Sequence, residues 1–486
     1  MRRLALIAAV VAAAAVARGE TRPRYGRKIV GSVLGQPASL DPVRARSHAE
    51  MQLAMLLYDT LYTIGEEGEI VPHLAVDLPS LSADGREARI KIAKGAQFQD
   101  GSPVGAADVE QSLDRLSRSD AAWLLAPVAS VSHDGDQVVV NLRRATPELA
   151  EILATPQASI TAGGRAPGKK PNGSGPFALA RGPAKKGSIL LVPWDRHFAG
   201  RPYADKLDLR WFDQATAEAR AYEVGELNLS FRGPVAFSGH EPKYPTEVTA
   251  GPAVVMAYVG FGRGHGRAFD NVDLRRAVSL AIGRESLRII GTGERVEPTS
   301  FPIAQDLGGP DPTAADLEAR VADARAALAR ATPKVKALAA KTTWELLVDR
   351  TRPDDREIGQ KVVAALFRLG LSCKITELDA PALDARLLRG DYDLAIGQLA
   401  PPGPSPALQI AAAFAAGGDG FAAAQMTTAP LAIDVALAAF AQRLPVLPLF
   451  HRSIRVHHRV DVRRVAFDAT GRLLYPDMFL FGGYTK

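Results

Sequence analysis

Ser174 sits between two glycines, His451, His457 and His458 crowd one short stretch, Cys373 stands alone, and Arg263 and His265 alternate with glycines. These are the places where side-chain type and spacing could do chemistry. A hydrolase elbow needs a glycine two residues before its serine, and Asn172 stands there. No base is assigned to Ser174 by spacing, so Gly173-Ser174-Gly175 reads as a turn, and a secreted serine hydrolase is the alternative that Ser174 would support. The three histidines lack a paired carboxylate or cysteine and read as strand and surface histidines, so no metal site is expected. Cys373 is the only cysteine, which forbids an intrachain disulfide. It falls on the apolar side of the alternating run Leu371-Ser372-Cys373-Lys374-Ile375 and reads as a small buried hydrophobe. In Gly260-Phe261-Gly262-Arg263-Gly264-His265-Gly266, His265 occupies the third glycine position of a dinucleotide fingerprint, so that reading fails. Arg263 and His265 remain as residues able to meet a carboxylate. A Walker loop, a zinc-protease helix and a cysteine pair are all missing from the sequence, so a binding protein without a cofactor is expected and an enzyme is not.

Such residues need elements to position them. A chain of 486 residues exceeds what one hydrophobic core organises, so two or more lobes are expected. Formal charge is +6, but Arg2, Arg3 and Arg18 lie in a targeting segment and leave about +3 on the mature chain. The arginines are scattered and not interleaved with aromatics, so nucleic acid is not an expected partner. Met1-Arg2-Arg3 followed by apolar Leu4 to Ala17 has the build of a secretory signal, with cleavage after Ala17 or Gly19. No cysteine follows it to carry a lipid, and a free periplasmic monomer is the expectation.

Local patterns place the elements. Ile90 and Ile92 alternate with Lys91 as in a half-buried strand, Asp100-Gly101-Ser102-Pro103 turns the chain, and Gly105 stands at a helix N-cap. Asp108 falls in the first turn, and Val109, Leu113 and Leu116 form one apolar stripe. Lys28 to Leu34 reads as the first strand, a helix starts near His48 with Met51 and Met55 as core, and Val131 to Leu142 reads as a hairpin. Asp270-Asn271 caps a helix through Ile282, and Ala314 to Ala340 reads as one or two surface helices. From Trp344 to Gly397 a strand, a helix ending at Gly370, the Cys373 strand, a second helix and a third strand give β-α-β-α-β, hence an α/β fold.

The order of these motifs resembles the family 5 extracytoplasmic solute-binding proteins, the dipeptide, oligopeptide and nickel receptors of bacterial ABC importers. The family pattern Lys-Gly-x-x-Phe-x-Asp-Gly-Thr-Pro, then Ala-x-Asp-Val, is met by Lys94, Gly95, Phe98, Asp100, Gly101, Pro103, Ala106, Asp108 and Val109, with Ser102 and Gly105 in place of threonines. Leu57-Tyr58-Asp59-Thr60-Leu61 stands at the place of Leu-Tyr-Glu-x-Leu, and the match continues through Ile70-Val71-Pro72-His73-Leu74-Ala75. Trp194 to Tyr203 fits Asn-x-x-Tyr-Trp-x-Gly-x-Pro-Tyr, and Leu444 to His451 fits the Pro-x-x-Pro-Leu-Tyr segment.

The resemblance implies a two-lobed periplasmic binding protein fold of type II with an extra subdomain and a ligand cleft between the lobes. It divides the chain into a signal peptide at 1–19, lobe I at 28–65 and 173–253, the extra subdomain at 66–172, lobe II at 254–444 and a return to lobe I at 445–486. It implies capture of a peptide or other small polar solute by lobe closure and delivery to an inner-membrane permease. A descendant that presents its ligand in signalling is a further alternative. In peptide-binding members an aspartate after the Tyr-Asp-Leu strand meets the free amine, and here Ser405-Pro406 stands in its place. Arg263, His265, Gln398 and Ser405 are therefore the ligand-binding candidates.

Overall fold

The structure is a computed structural model that describes residues 23–168, 170–182, 186–232, 244–290, 294–303, 317–428 and 432–481. The signal segment 1–19 and residues 314–316 lie outside the described residues.

The strand, turn and helix expected around Asp100 are present, and each has a visible cause. The strand Glu87–Lys91 buries Ala88 and Ile90 and exposes the residues between them, as period-two patterning requires. Asp100 then accepts the Ser102 N–H and hydroxyl at 2.8 and 2.6 Å, which closes the turn. Gly105 caps the helix Ala106–Ser117 in extended conformation, and Asp108 reaches back to accept its N–H at 2.9 Å. Val109, Leu113 and Leu116 are fully buried against the sheet, each contributing about 1.5–3 kcal/mol by leaving water.

Three sheets carry the fold. The first has seven strands in the order Thr246–Ala250, Arg455–Arg459, Leu229–Ser230, Lys28–Ser32, Lys206–Arg210, Ser188–Pro193 and Phe177–Leu179. Lys28–Ser32 at its centre is parallel to both neighbours. The second has six strands in the order Glu297–Pro298, Val446–Arg452, Val255–Phe261, Leu394–Leu399, Thr343–Asp349 and Ser372–Leu378. Thr343–Asp349 pairs in parallel with both Ser372–Leu378 and Leu394–Leu399, which realises the β-α-β-α-β unit. Its helices are Pro353–Arg368, followed by Gly370 at φ +74°, and Ala380–Arg389. The third sheet, Ser80–Leu81, Glu87–Lys91, Gln137–Leu142 and Val128–Asp134, is backed by the helix Ala106–Ser117 and forms the extra layer.

Two stretches join the first sheet to the second. One runs from Thr246–Ala250 to Val255–Phe261, and the other returns from Val446–Arg452 to Arg455–Arg459. They lie side by side: the Gly251 N–H donates to the Ile454 carbonyl at 2.7 Å, and the Ser453 hydroxyl donates to the Gly251 carbonyl at 2.5 Å. Short paired crossings between two separately packed sheets are the build of a hinge.

Hydrophobic cores match this division. One sits under the first sheet around Leu53, Leu207 and Val456, and a second around Trp344, Val362 and Leu447 under the second. A third joins the extra layer to the helices Pro406–Ala416, Gly420–Thr428 and Ile433–Arg443, where Phe414 meets Phe440 edge-on at 5.5 Å.

Candidate functional site

Side chains from both lobes and from the extra layer converge on a cavity of about 560 Å³. Arg46 and Glu50 enter it from the first lobe, Trp123 from the extra layer, and Tyr258, Arg352 and Gln398 from the second lobe. Capping puts Glu50 there. It is the third residue of the helix His48–Leu57, whose Ser47 cap accepts its N–H, and its carboxylate gathers the N–H groups of Ala38, Ser39, Arg46 and Ser47 at 3.0–3.2 Å. Arg352 is placed by the parallel unit, since it follows Thr343–Asp349 at the carboxyl ends of the strands, where α/β sheets present ligand-binding loops.

Most of the charge at the cavity is already engaged. Arg46 pairs with Asp120 at 2.8 Å, Arg44 pairs with Asp384 at 2.6 Å, and Arg352 lies 3.1 Å from both Asp349 and Asp355. Gln398 donates to Asp355 at 3.0 Å. Burial pushes the Asp355 carboxyl up to about 7, Arg352 opposes it, and the neighbouring Asp349 and Asp354 carboxylates add to it. Two cations at the cavity rim, Arg263 and Arg389, have no ion-pair partner among the described residues. The unengaged charge of the cavity is therefore positive, and it suits a carboxylate or other anionic group.

The lobes also touch directly. The Gln36 N–H donates to the Thr351 hydroxyl at 2.9 Å, and Arg232 bridges Glu218 of the first lobe to Asp354 of the second at 3.2 Å each.

Of the four residues expected at the ligand, Arg263 and Gln398 line the cavity. His265 and Ser405 are not among its lining residues. The His265 ring pairs with buried Asp393 at 2.7 Å and meets Trp344 edge-on. The glycines around it serve close approach: a Cβ on Gly262 would fall 2.0 Å from the Tyr392 carbonyl oxygen. Ser405 caps the helix Pro406–Ala416, and its own N–H donates to Glu151 at 2.8 Å. Sequence reasoning missed Arg46, Glu50, Tyr258 and Arg352. The charged run Asp349 to Asp355 directly after a strand of the parallel unit was the available signal for Arg352.

The remaining chemical candidates are inert. Ser174 is fully buried, and its hydroxyl has no hydrogen-bond partner, and so no activating base, among the described residues. Its glycines pack the loop against the end of the helix His48–Leu57, where a Cβ on Gly173 would lie 1.9 Å from the Leu57 carbonyl oxygen. His451 is buried and pushed down by burial to about 4. His458 bonds Thr249 at 3.0 Å, and burial pushes the Cys373 thiol up to about 12.

Two α/β lobes joined by paired crossings around a cavity define a periplasmic binding protein fold. The profile of bacterial extracellular solute-binding proteins, family 5 Middle, matches residues 69–421, and the chain belongs to that family. The glutathione-binding protein GsiB of Pectobacterium atrosepticum is 25% identical over 322 residues, which is 63% of this chain and 61% of that protein. The oligopeptide-binding protein AppA of Bacillus subtilis is 24% identical over 284 residues, 55% of this chain and 52% of AppA. The chain thus matches only about half to three-fifths of the length of these relatives. In structure, the Escherichia coli murein tripeptide binding protein MppA superposes with a TM-score of 0.76 at 19% identity, covering 95% of this chain and 100% of MppA. NikA from Staphylococcus aureus, in complex with Ni(L-His)2, superposes at 0.76 with 17% identity, covering 94% and 100%. These likenesses establish the fold.

Proposed function

We propose that this chain is the periplasmic solute-binding subunit of an ABC importer, and that it captures a short peptide or similar small polar solute carrying a carboxylate. The observation that carries the reading is the cavity between two hinged lobes, with Arg263 and Arg389 uncompensated at its rim. A volume of about 560 Å³ lies within the range of small-molecule sites. Arg263 meets the solute carboxylate, Gln398 supplies a hydrogen bond beside it, and Trp123 and Tyr258 offer flat faces. Peptide-binding relatives support the class of solute. The protein acts as a monomer, hands its solute to an inner-membrane permease and performs no bond-breaking step. The return to the first lobe then falls at 453–454.

Closure sets the energetics. Moving the open form from about 99% to 1% takes roughly 5.5 kcal/mol of preference for the closed state, whereas a micromolar solute supplies about 8 kcal/mol in total. Most contact energy must therefore be made only in the closed cavity. Calorimetry and tryptophan fluorescence against dipeptides, oligopeptides and glutathione test the reading. Saturable binding with a Trp123-dependent signal supports it, and silence from the folded protein across the whole set contradicts it.

A further inference from the structure

Away from the cavity, Asp59, His73 and His197 converge from three separate segments. The Nε2 of His73 lies 2.9 Å and the Nε2 of His197 lies 3.3 Å from the same oxygen, Oδ1 of Asp59. One ligating atom from each residue falls within 4.8 Å of the other two. We propose that these three residues bind a first-row divalent transition-metal cation of the zinc type, through one carboxylate oxygen and two imidazole Nε2 atoms, with a fourth position open.

Geometry is the first support. Bonds of 2.0–2.1 Å put the ligand atoms of a tetrahedral zinc about 3.3 Å apart, and the two distances to Asp59 need little adjustment. Hydrogen bonding is the second. The Nδ1 of His197 lies 3.1 Å from the Gly200 carbonyl, an acceptor only, so Nδ1 carries the hydrogen and Nε2 faces Asp59. A backbone carbonyl that fixes the far nitrogen in this way is the usual support of a metal-ligating imidazole. Asp59 is the third. It is 2% exposed, both rings crowd its Oδ1, and its Oδ2 is buried with no hydrogen-bond partner among the described residues. A cation between the three groups satisfies this carboxylate better than two rings bonding to one oxygen.

The backbone holds the three groups in place before any ion arrives. The Asp59 carbonyl accepts the Ile160 N–H at 2.8 Å, the His73 N–H donates to Leu61 at 3.0 Å, and a turn closed from Gly200 to the His197 carbonyl at 3.0 Å positions His197. The His73 side chain is 19% exposed and gives an ion its entry path. When the chain is aligned on Gly200, Pro202 and Tyr203, His197 falls where the family pattern has tyrosine, and Asp59 stands where it has glutamate. The set is independent of the solute reading.

The test uses the full protein, stripped with chelator and titrated with Zn²⁺ alone by calorimetry and with Co²⁺ by visible spectroscopy. One Zn²⁺ per chain and the absorption of four-coordinate Co²⁺ are expected, with a melting temperature raised by Zn²⁺. H73A and H197Y, each shown folded by circular dichroism, should lose at least about a hundredfold in affinity and all of the thermal shift. H457A should keep both. The absence of stoichiometric binding by the wild type, or binding unchanged in folded H73A and H197Y, overturns the proposal.

Discussion

Arg232 of the first lobe lies 3.2 Å from Asp354 of the second, and both side chains are buried. The pair does not stand alone. Arg232 also reaches Glu218, whose Oε1 accepts from the hydroxyls of Ser32 and Ser230 in the first sheet, and Asp354 also takes Arg452 at 3.2 Å. Burial would raise the Asp354 carboxyl, but Arg232 and Arg452 outweigh it and hold the group below the usual range. A fixed ionic thread therefore runs from one sheet to the other beside the hinge.

Cutting that thread should loosen closure. We predict that D354A costs about 3–5 kcal/mol, because it takes a buried anionic partner from both Arg232 and Arg452. Urea unfolding measures the loss. X-ray scattering of the solute-free variant should give a larger radius of gyration than the wild type, whereas a surface pair such as Arg118 with Asp114 should be removable with neither effect.

Asp355 gives a pH prediction with a definite sign. Its folded carboxyl sits near 7 against an ordinary 3.8, so between those values the folded chain binds more protons than the unfolded one. Its contribution is fully favourable below about pH 4 and declines as pH rises to about 7, by a total of about 4 kcal/mol. D355N keeps the acceptor for Gln398 and removes the titration. Unfolding free energies at pH 4.5 and 7.5 should therefore fall more steeply for wild type than for D355N, and parallel curves would refute the assignment.

The glycines at 173 and 175 matter, and the serine between them does not. A Cβ on Gly175 would lie 2.5 Å from the Tyr58 nitrogen, and one on Gly173 would collide with the Leu57 carbonyl. G173A and G175A should each cost about 2–4 kcal/mol through forced backbone movement. S174A removes a buried hydroxyl that has no partner among the described residues and should stay within about 1 kcal/mol of wild type in thermal melts.

Arg263 separates an anionic solute from a neutral one. R263A should weaken binding of a carboxylate-bearing solute by about tenfold, a partly solvated charged hydrogen bond being worth about 1–2 kcal/mol. Calorimetry with a free peptide and its C-terminal amide should show the loss only for the free acid.

Much of this fold was legible because its signals are local. The Gly105 cap, the stripe of Val109, Leu113 and Leu116, and the run from Trp344 to Gly397 each depend on residues within a few turns of one another. The observed helix Ala106–Ser117 and the strand Leu394–Leu399 follow from those patterns. Sites were less legible because convergence is not local. His265 and Arg263 are two residues apart, yet one pairs with Asp393 while the other lines the cavity. Ser405 is expected at the ligand from its place after the Tyr-Asp-Leu strand, and its capping of the helix Pro406–Ala416 is a local role. Asp59 and His197 meet across 138 residues, a distance that no motif spacing encodes.

The central claim is that two lobes close on a solute, and scattering in solution tests it most directly. With the solute identified by calorimetry at saturating concentration, the radius of gyration of the wild-type protein should fall, and that of D354A should start larger and fall further. A profile that stays unchanged while calorimetry reports full occupancy would contradict the claim.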